Sequence, residues 1–84
     1  MNILVTAATS TAGYSALEIG RMKGATMIGT SRFEHNRDYL LKGGASHVHS
    51  GDTEGLPDAI REFTQGVGVH AVFDSIGAGM IAHY

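Results

Sequence analysis

An α/β fold, built on an open and doubly wound parallel sheet with strand order 3-2-1-4, is predicted by three observations. Short apolar runs of strand length recur along the 84 residues, segments with helical spacing separate them, and glycines punctuate the changes of period. A helix between two such runs is the crossover of a right-handed parallel β-α-β unit.

Ile3, Leu4 and Val5 form the first run, bounded by the small polar stretch Thr6 to Thr11, which suits a strand buried on both faces. From Gly13 to Lys23 the period becomes helical. Gly13, Ala16 and Gly20 recur at spacings of three and four, so this helix can lie close to a neighbouring strand, and Gly24 closes it as a C-cap. Ala25 to Thr30 is the second strand. Glu34 to Lys42 is the second helix, closed by Gly43 and Gly44, and a short strand follows around His47, Val48 and His49. Gly51, Asp52 and Thr53 make a turn. In the third helix, Pro57 to Gln65, Leu56, Ala59, Ile60 and Phe63 fall at i, i+3, i+4 and i+7, and Pro57 takes a first-turn position that needs no donor. Val69 to Asp74 is the fourth strand, and Ser75 to Gly79 a glycine-containing loop at its carboxyl end.

Composition narrows the function. At 84 residues, 43% hydrophobic and 17% charged, the chain is one small globular domain, too short for the paired domains that enclose a substrate in most cofactor-dependent enzymes. Six Lys+Arg against eight Asp+Glu give a net charge of −2, which draws neither a nucleic acid backbone nor an anionic membrane. The absence of Cys excludes disulfides, thiolate metal sites and thiol nucleophiles, and fits a cytoplasmic setting. Met1 to Thr6 lacks the basic leader and long apolar stretch of a signal peptide or membrane span.

Ligands of doubly wound sheets bind outside the carboxyl ends of the strands at the switch point, which here sets Ala7 to Gly13 beside Ser75 to Gly79. Thr6 to Gly13 join a buried strand to a helix amino end, where free N–H groups and the helix dipole favour an anion such as a diphosphate. Ala7, Ser10 and Gly13 stand at the fingerprint positions usually held by glycine, and Ser10 must turn away or donate its hydroxyl to a phosphate oxygen. The alternative is that Ser and Thr merely cap a strand-to-helix turn. At the end of the second strand, Thr30-Ser31-Arg32 offers no acid for a ribose 2′-hydroxyl, while Arg32 presents a planar fork suited to a 2′-phosphate and Arg37 follows a turn later. That favours NADP(H) over NAD(H). The alternative is two solvated charges, with Glu34 and Asp38 nearby to pair with.

Other groups have ordinary explanations. His47 and His49 project to one side of a strand, with His35 remote, and nothing else supports a metal. Asp74 is read as a loop cap, Tyr14 as cofactor stacking or core cover, and Met22, Met27 and Met80 as gap fillers. The Tyr and Lys four apart that short-chain dehydrogenases require are missing, since Gly43 stands four after Tyr39.

Val5 to Gly13, Gly24-Ala25-Thr26, Thr30-Ser31-Arg32, Gly44 to Val48 and Val72 to Gly77 together resemble the cofactor-binding domain of the medium-chain dehydrogenase/reductase superfamily. The branch most similar is the zinc-independent quinone oxidoreductases and related enoyl reductases. The resemblance covers nearly the whole chain and implies a partial Rossmann-like domain, residues 1–84, for NADPH-dependent hydride transfer to an activated carbon–carbon double bond or quinone. It also implies a separate barrel-like catalytic domain outside these residues. Carried over, Ser10, Thr11, Ala12 and Gly13 would face the diphosphate, with Ala7 in the same loop. Ser31, Arg32 and Arg37 would face the 2′-phosphate, and Ser75, Ile76 and Gly77 the nicotinamide-side ribose. Family members often carry Lys where Asn36 stands and Tyr near Gly51, so the NADP preference rests here on Arg32 and Arg37. Turnover by this chain alone is not expected. A fourth strand without a neighbour would bare an apolar edge at Val69 to Phe73 and draw in another copy of the chain or aggregate. The competing expectation is a non-catalytic nucleotide-binding or interaction module.

Overall fold

Leu4 and Val5 have no exposed surface, which puts the first strand at the centre of the molecule and its alternate side chains in two separate cores. In the computed structural model, which describes residues 1–6, 8, 11–51, 54–74 and 79–81, the elements run β1 (Asn2–Thr6), α1 (Thr11–Met22), β2 (Thr26–Ser31), a 3-10 turn (Glu34–Asn36), α2 (Arg37–Gly43), β3 (His47–Ser50), α3 (Leu56–Phe63), β4 (Ala71–Asp74) and β5 (Gly79–Ile81). They form one sheet in the order β3-β2-β1-β4-β5. The first four strands are parallel in the predicted order 3-2-1-4.

Leu4 lies level with Ile28 of β2 and Val72 of β4, and this row packs with Leu56 and Ile60 of α3. On the other face Val5 and Met27 pack with Leu17 of α1, Leu40 of α2 and Val48 of β3. Two helices on one face and one on the other are what doubly wound topology requires. Each fully buried side chain of the Leu or Ile class stabilises by roughly 1.5–3 kcal/mol, so these two clusters supply most of the folding energy.

The predicted close approach of α1 to the sheet is present: Gly13 is buried, and a Cβ on Gly20 would collide with the Met27 thioether. Gly24, at φ +84, and Gly44, at φ +126, close α1 and α2 as C-caps in a conformation open chiefly to glycine. At the opposite end of the sheet Asn2 gathers several elements. Its N–H donates to His70 Nδ1 at 2.9 Å, its side-chain amide to the Gly68 carbonyl at 3.0 Å, and its carbonyl accepts from the His70 N–H at 2.7 Å.

Four expectations are corrected. α1 begins at Thr11 rather than Gly13. The segment read as one helix from Glu34 is a 3-10 turn followed by α2, and β4 starts at Ala71 rather than Val69. The outer edge of β4 is not bare: β5 pairs with it antiparallel, with Val72 opposite Ile81, Phe73 opposite Met80 and Asp74 opposite Gly79. The expected self-association through β4 thereby loses its unpaired strand. Among the described residues, no helix is long and apolar enough to cross a membrane.

Candidate functional site

The carboxyl ends of β1, β2 and β4 lie together. Val5 is level with Gly29, Thr6 with Asp74, and the buried Ala8 donates its N–H to the Thr30 carbonyl at 3.0 Å. That last bond ties the turn after β1 to the tip of β2. α1 then starts with Thr11 and Ala12 exposed and Gly13 buried against the sheet. The positive end of the dipole of this 12-residue helix lies at its first turn, which among the described residues carries no acidic side chain. An anion is favoured at this end.

The tip of β2 is shaped by Ser31, which is buried. Its hydroxyl accepts from the Asn36 side-chain amide at 2.9 Å and from the Phe33 N–H at 3.3 Å, and donates to the Phe33 carbonyl at 3.2 Å. Such a local side-chain bridge replaces helical bonding and explains why residues 34–36 close as a 3-10 turn. Ser31, expected against the 2′-phosphate, is therefore engaged within its own chain and acts by holding the tip in shape. Arg32 projects from this tip, exposed, and its side chain has no partner among the described residues. Beside it the exposed Phe33 stacks on His35, with ring centroids 5.5 Å apart and planes inclined by 15°.

Arg37 pairs with Glu34, the alternative weighed for it beside the 2′-phosphate. Its Nε donates to Glu34 Oε1 at 2.6 Å and its Nη2 to Glu34 Oε2 at 3.2 Å, while Nη1 donates to the Val48 carbonyl of β3 at 3.1 Å. The guanidinium fork is closed on an internal carboxylate. Arg37 holds Glu34 well below the usual carboxylate range, at about 2, with the Ser50 hydroxyl contributing in the same direction, and the pairing raises Arg37 in turn. Ser50 Oγ is buried beside this carboxylate without a hydrogen bond of full geometry, so Arg37 is the partner that decides. Both side chains of the pair remain substantially exposed, at 41% for Arg37 and 68% for Glu34, so water competes with it.

Ala7 and Ser10 of the first loop, and Ser75, Ile76 and Gly77 after β4, lie outside the described residues, as does the Asp74 side chain. His47, weighed as a metal ligand, stacks its ring on Phe63 of α3 at 4.7 Å and 8° and so belongs to the packing of α3 on β3. No group of three His, Asp or Glu that could hold a metal comes together among the described residues. Tyr14, weighed as a cofactor contact, stacks on Tyr39 of α2 at 4.5 Å. Asn36, which stands where members of the resembled family often carry Lys, donates its side-chain amide to Ser31 instead, a role its position in the sequence did not signal.

With this geometry in place, likeness to known proteins is informative. The family model for zinc-binding dehydrogenases matches residues 12–83. A 2-haloacrylate reductase from a Burkholderia species is 36% identical over 75 residues, covering 89% of this chain and 22% of that protein. A mycocerosic acid synthase-like polyketide synthase of Mycolicibacterium smegmatis is 35% identical over 74 residues, covering 88% of this chain and 4% of its own length. Among solved structures, the Escherichia coli quinone oxidoreductase complexed with NADPH superposes with a TM-score of 0.80 and 32% identity, over 89% of this chain and 23% of that one. The chain spans less than a quarter of each of these proteins.

Proposed function

The chain belongs to the zinc-binding dehydrogenase family, within the medium-chain dehydrogenase/reductase superfamily, and from that premise we propose that it is the NADPH-holding part of a reductase of the quinone or enoyl type. The observation that carries this reading is the bond from the Ala8 N–H to the Thr30 carbonyl, because it ties the loop leading into α1 to the end of β2, where the exposed Arg32 follows. A dinucleotide with a phosphorylated ribose needs both: amides for its diphosphate and a cation for its 2′-phosphate.

The residues present fit that cofactor. The buried Gly13 stands in the first turn of α1, and Arg32 is exposed beside Ser31 with no ion pair among the described residues. Ser10, Thr11 and Ala12 would border the diphosphate, and Ser75, Ile76 and Gly77 the nicotinamide-side ribose. When bound, the reduced nicotinamide supplies a hydride. The acceptor we propose is an activated double bond or a quinone, in keeping with the names of the relatives. Transfer requires the acceptor held against the ring and shielded from water, and the described residues form no wall opposite the carboxyl edge. Turnover is accordingly proposed for a longer assembly, and cofactor binding for this chain.

Isothermal titration of the chain with NADPH, NADH and AMP tests the reading. NADPH binding in the micromolar range, tighter than NADH and weakened about fivefold by Arg32→Ala with NADH unaffected, is the expected result, since an exposed charge pair contributes about 1 kcal/mol. Absence of any nucleotide binding would sink it and leave an interaction module in its place.

A further inference from the structure

Arg37 already grips an anion. The two oxygens of Glu34 lie on its Nε and Nη2, the side-on bidentate arrangement that two phosphate oxygens take on a guanidinium, and Nη1 is tied to the Val48 carbonyl. Both residues follow directly on the tip of β2, on the edge where the cofactor reading puts the 2′-phosphate. We propose that Glu34 is an internal competitor for the 2′-phosphate: a specificity-determining residue that withholds Arg37 and thereby keeps the preference for NADPH over NADH small. The proposal rests on the cofactor reading above and adds to it the element that sets selectivity.

The physical argument is one of exchange. A 2′-phosphate carries about −1.5 to −2 charges at neutral pH and would be the stronger ligand for a guanidinium. To reach Arg37 it must first displace Glu34, and the displaced carboxylate then stands as a like charge beside it. The pair is exposed enough to open without leaving a buried charge behind, so displacement is possible but reduces the net gain. Glu34 is a carboxylate throughout the neutral range, and the Arg37 contact only lowers its pKa further, so the competitor is always present. A ribose bearing a free 2′-hydroxyl meets no such competition. Among the described residues, Arg32 is then the guanidinium near the tip of β2 that can meet the 2′-phosphate without this exchange.

The test is titration of the full chain with adenosine 2′,5′-bisphosphate and with 5′-AMP, for the native protein, Glu34→Gln, Glu34→Ala and the double variant Glu34→Gln/Arg37→Met, each verified as folded by urea unfolding. Removing the competitor is expected to raise the affinity ratio of bisphosphate to AMP by about three- to tenfold, the range of an exposed to partly desolvated charge-assisted contact, and Arg37→Met in the same chain should abolish that gain. A merely structural role for Glu34 would move both nucleotides together. Nucleotide binding with an unchanged or lowered ratio, or a gain that persists without Arg37, overturns the competitor while sparing the cofactor reading. Failure of every variant and of the native chain to bind either nucleotide overturns both.

Discussion

The side-chain amide of Asn36 donates to the hydroxyl of Ser31 at 2.9 Å, joining the last residue of β2 to the residue that immediately precedes α2. Ser31→Ala removes the acceptor of both this amide and the Phe33 N–H. Water can reach the half-buried Asn36, so the expected loss is about 1 kcal/mol, read as a lowered midpoint in urea at unchanged slope. On the proposed cofactor reading NADPH affinity should fall as well, because two of these bonds run between the two neighbours of Arg32.

Leu17 is fully buried between α1, β2 and α2, and a Cβ on Gly29 would lie 3.6 Å from its Cδ1. Truncation by Leu17→Ala leaves a cavity the packed helices cannot close. A cost of about 2–5 kcal/mol is expected, a large share of the stability of a small domain, and thermal unfolding followed by circular dichroism should show it.

Gly43 makes room for an aromatic stack. A Cβ there would come within 2.5 Å of Tyr14 Cε2, and Tyr14 is also stacked on Tyr39, one turn earlier on the same face of α2. Gly43→Ala should therefore destabilise by about 1–3 kcal/mol despite the better helix propensity of Ala. In a Tyr14→Ala background the same change should be neutral or stabilising. A double-mutant cycle in urea measures that difference.

The Glu34 carboxyl has a folded-state pKa of about 2 against an ordinary 4.5, owing first to Arg37. A group with a depressed folded pKa contributes stability above its unfolded value and loses it as protons are taken up on the way down to the folded one. The contribution of Glu34 should thus be complete above about pH 5 and fade between about 4.5 and 2. Urea midpoints measured from pH 6 to pH 2 should fall less steeply for Glu34→Gln than for the native chain, and NMR titration of the Glu34 side-chain carbon should give the depressed value directly.

Elements whose periodicity alone decides their position could be read from the residues. Leu56 and Ile60 of α3 had to face a sheet, and both are buried. Three crossovers in succession left little freedom in strand order. What escaped depended on partners distant in sequence or on signals too short to register. β5 is Gly-Met-Ile, three residues with no pattern of their own, and it exists by virtue of pairing with β4. Arg37 had Glu34 visible three residues before it, but its further bond to the Val48 carbonyl, eleven residues away, could not be read from local spacing. Ser31 was set at the 2′-phosphate by the family resemblance, and its bond from Asn36, five residues on, had no signal in the sequence.

The bonds gathered on Asn2 have a mechanical corollary. They fasten β1 to the approach to β4 at the amino end of the sheet, and Thr26 donates its N–H to the Met1 carbonyl at 2.8 Å to secure β2 at the same hem. With strands sewn there, one cannot slide past another by a residue, a slip that would turn Leu4 and Val5 into each other's cores. The far rim is fastened as well, through the Ala8 N–H on the Thr30 carbonyl, so the register of β1 and β2 is pinned at both ends.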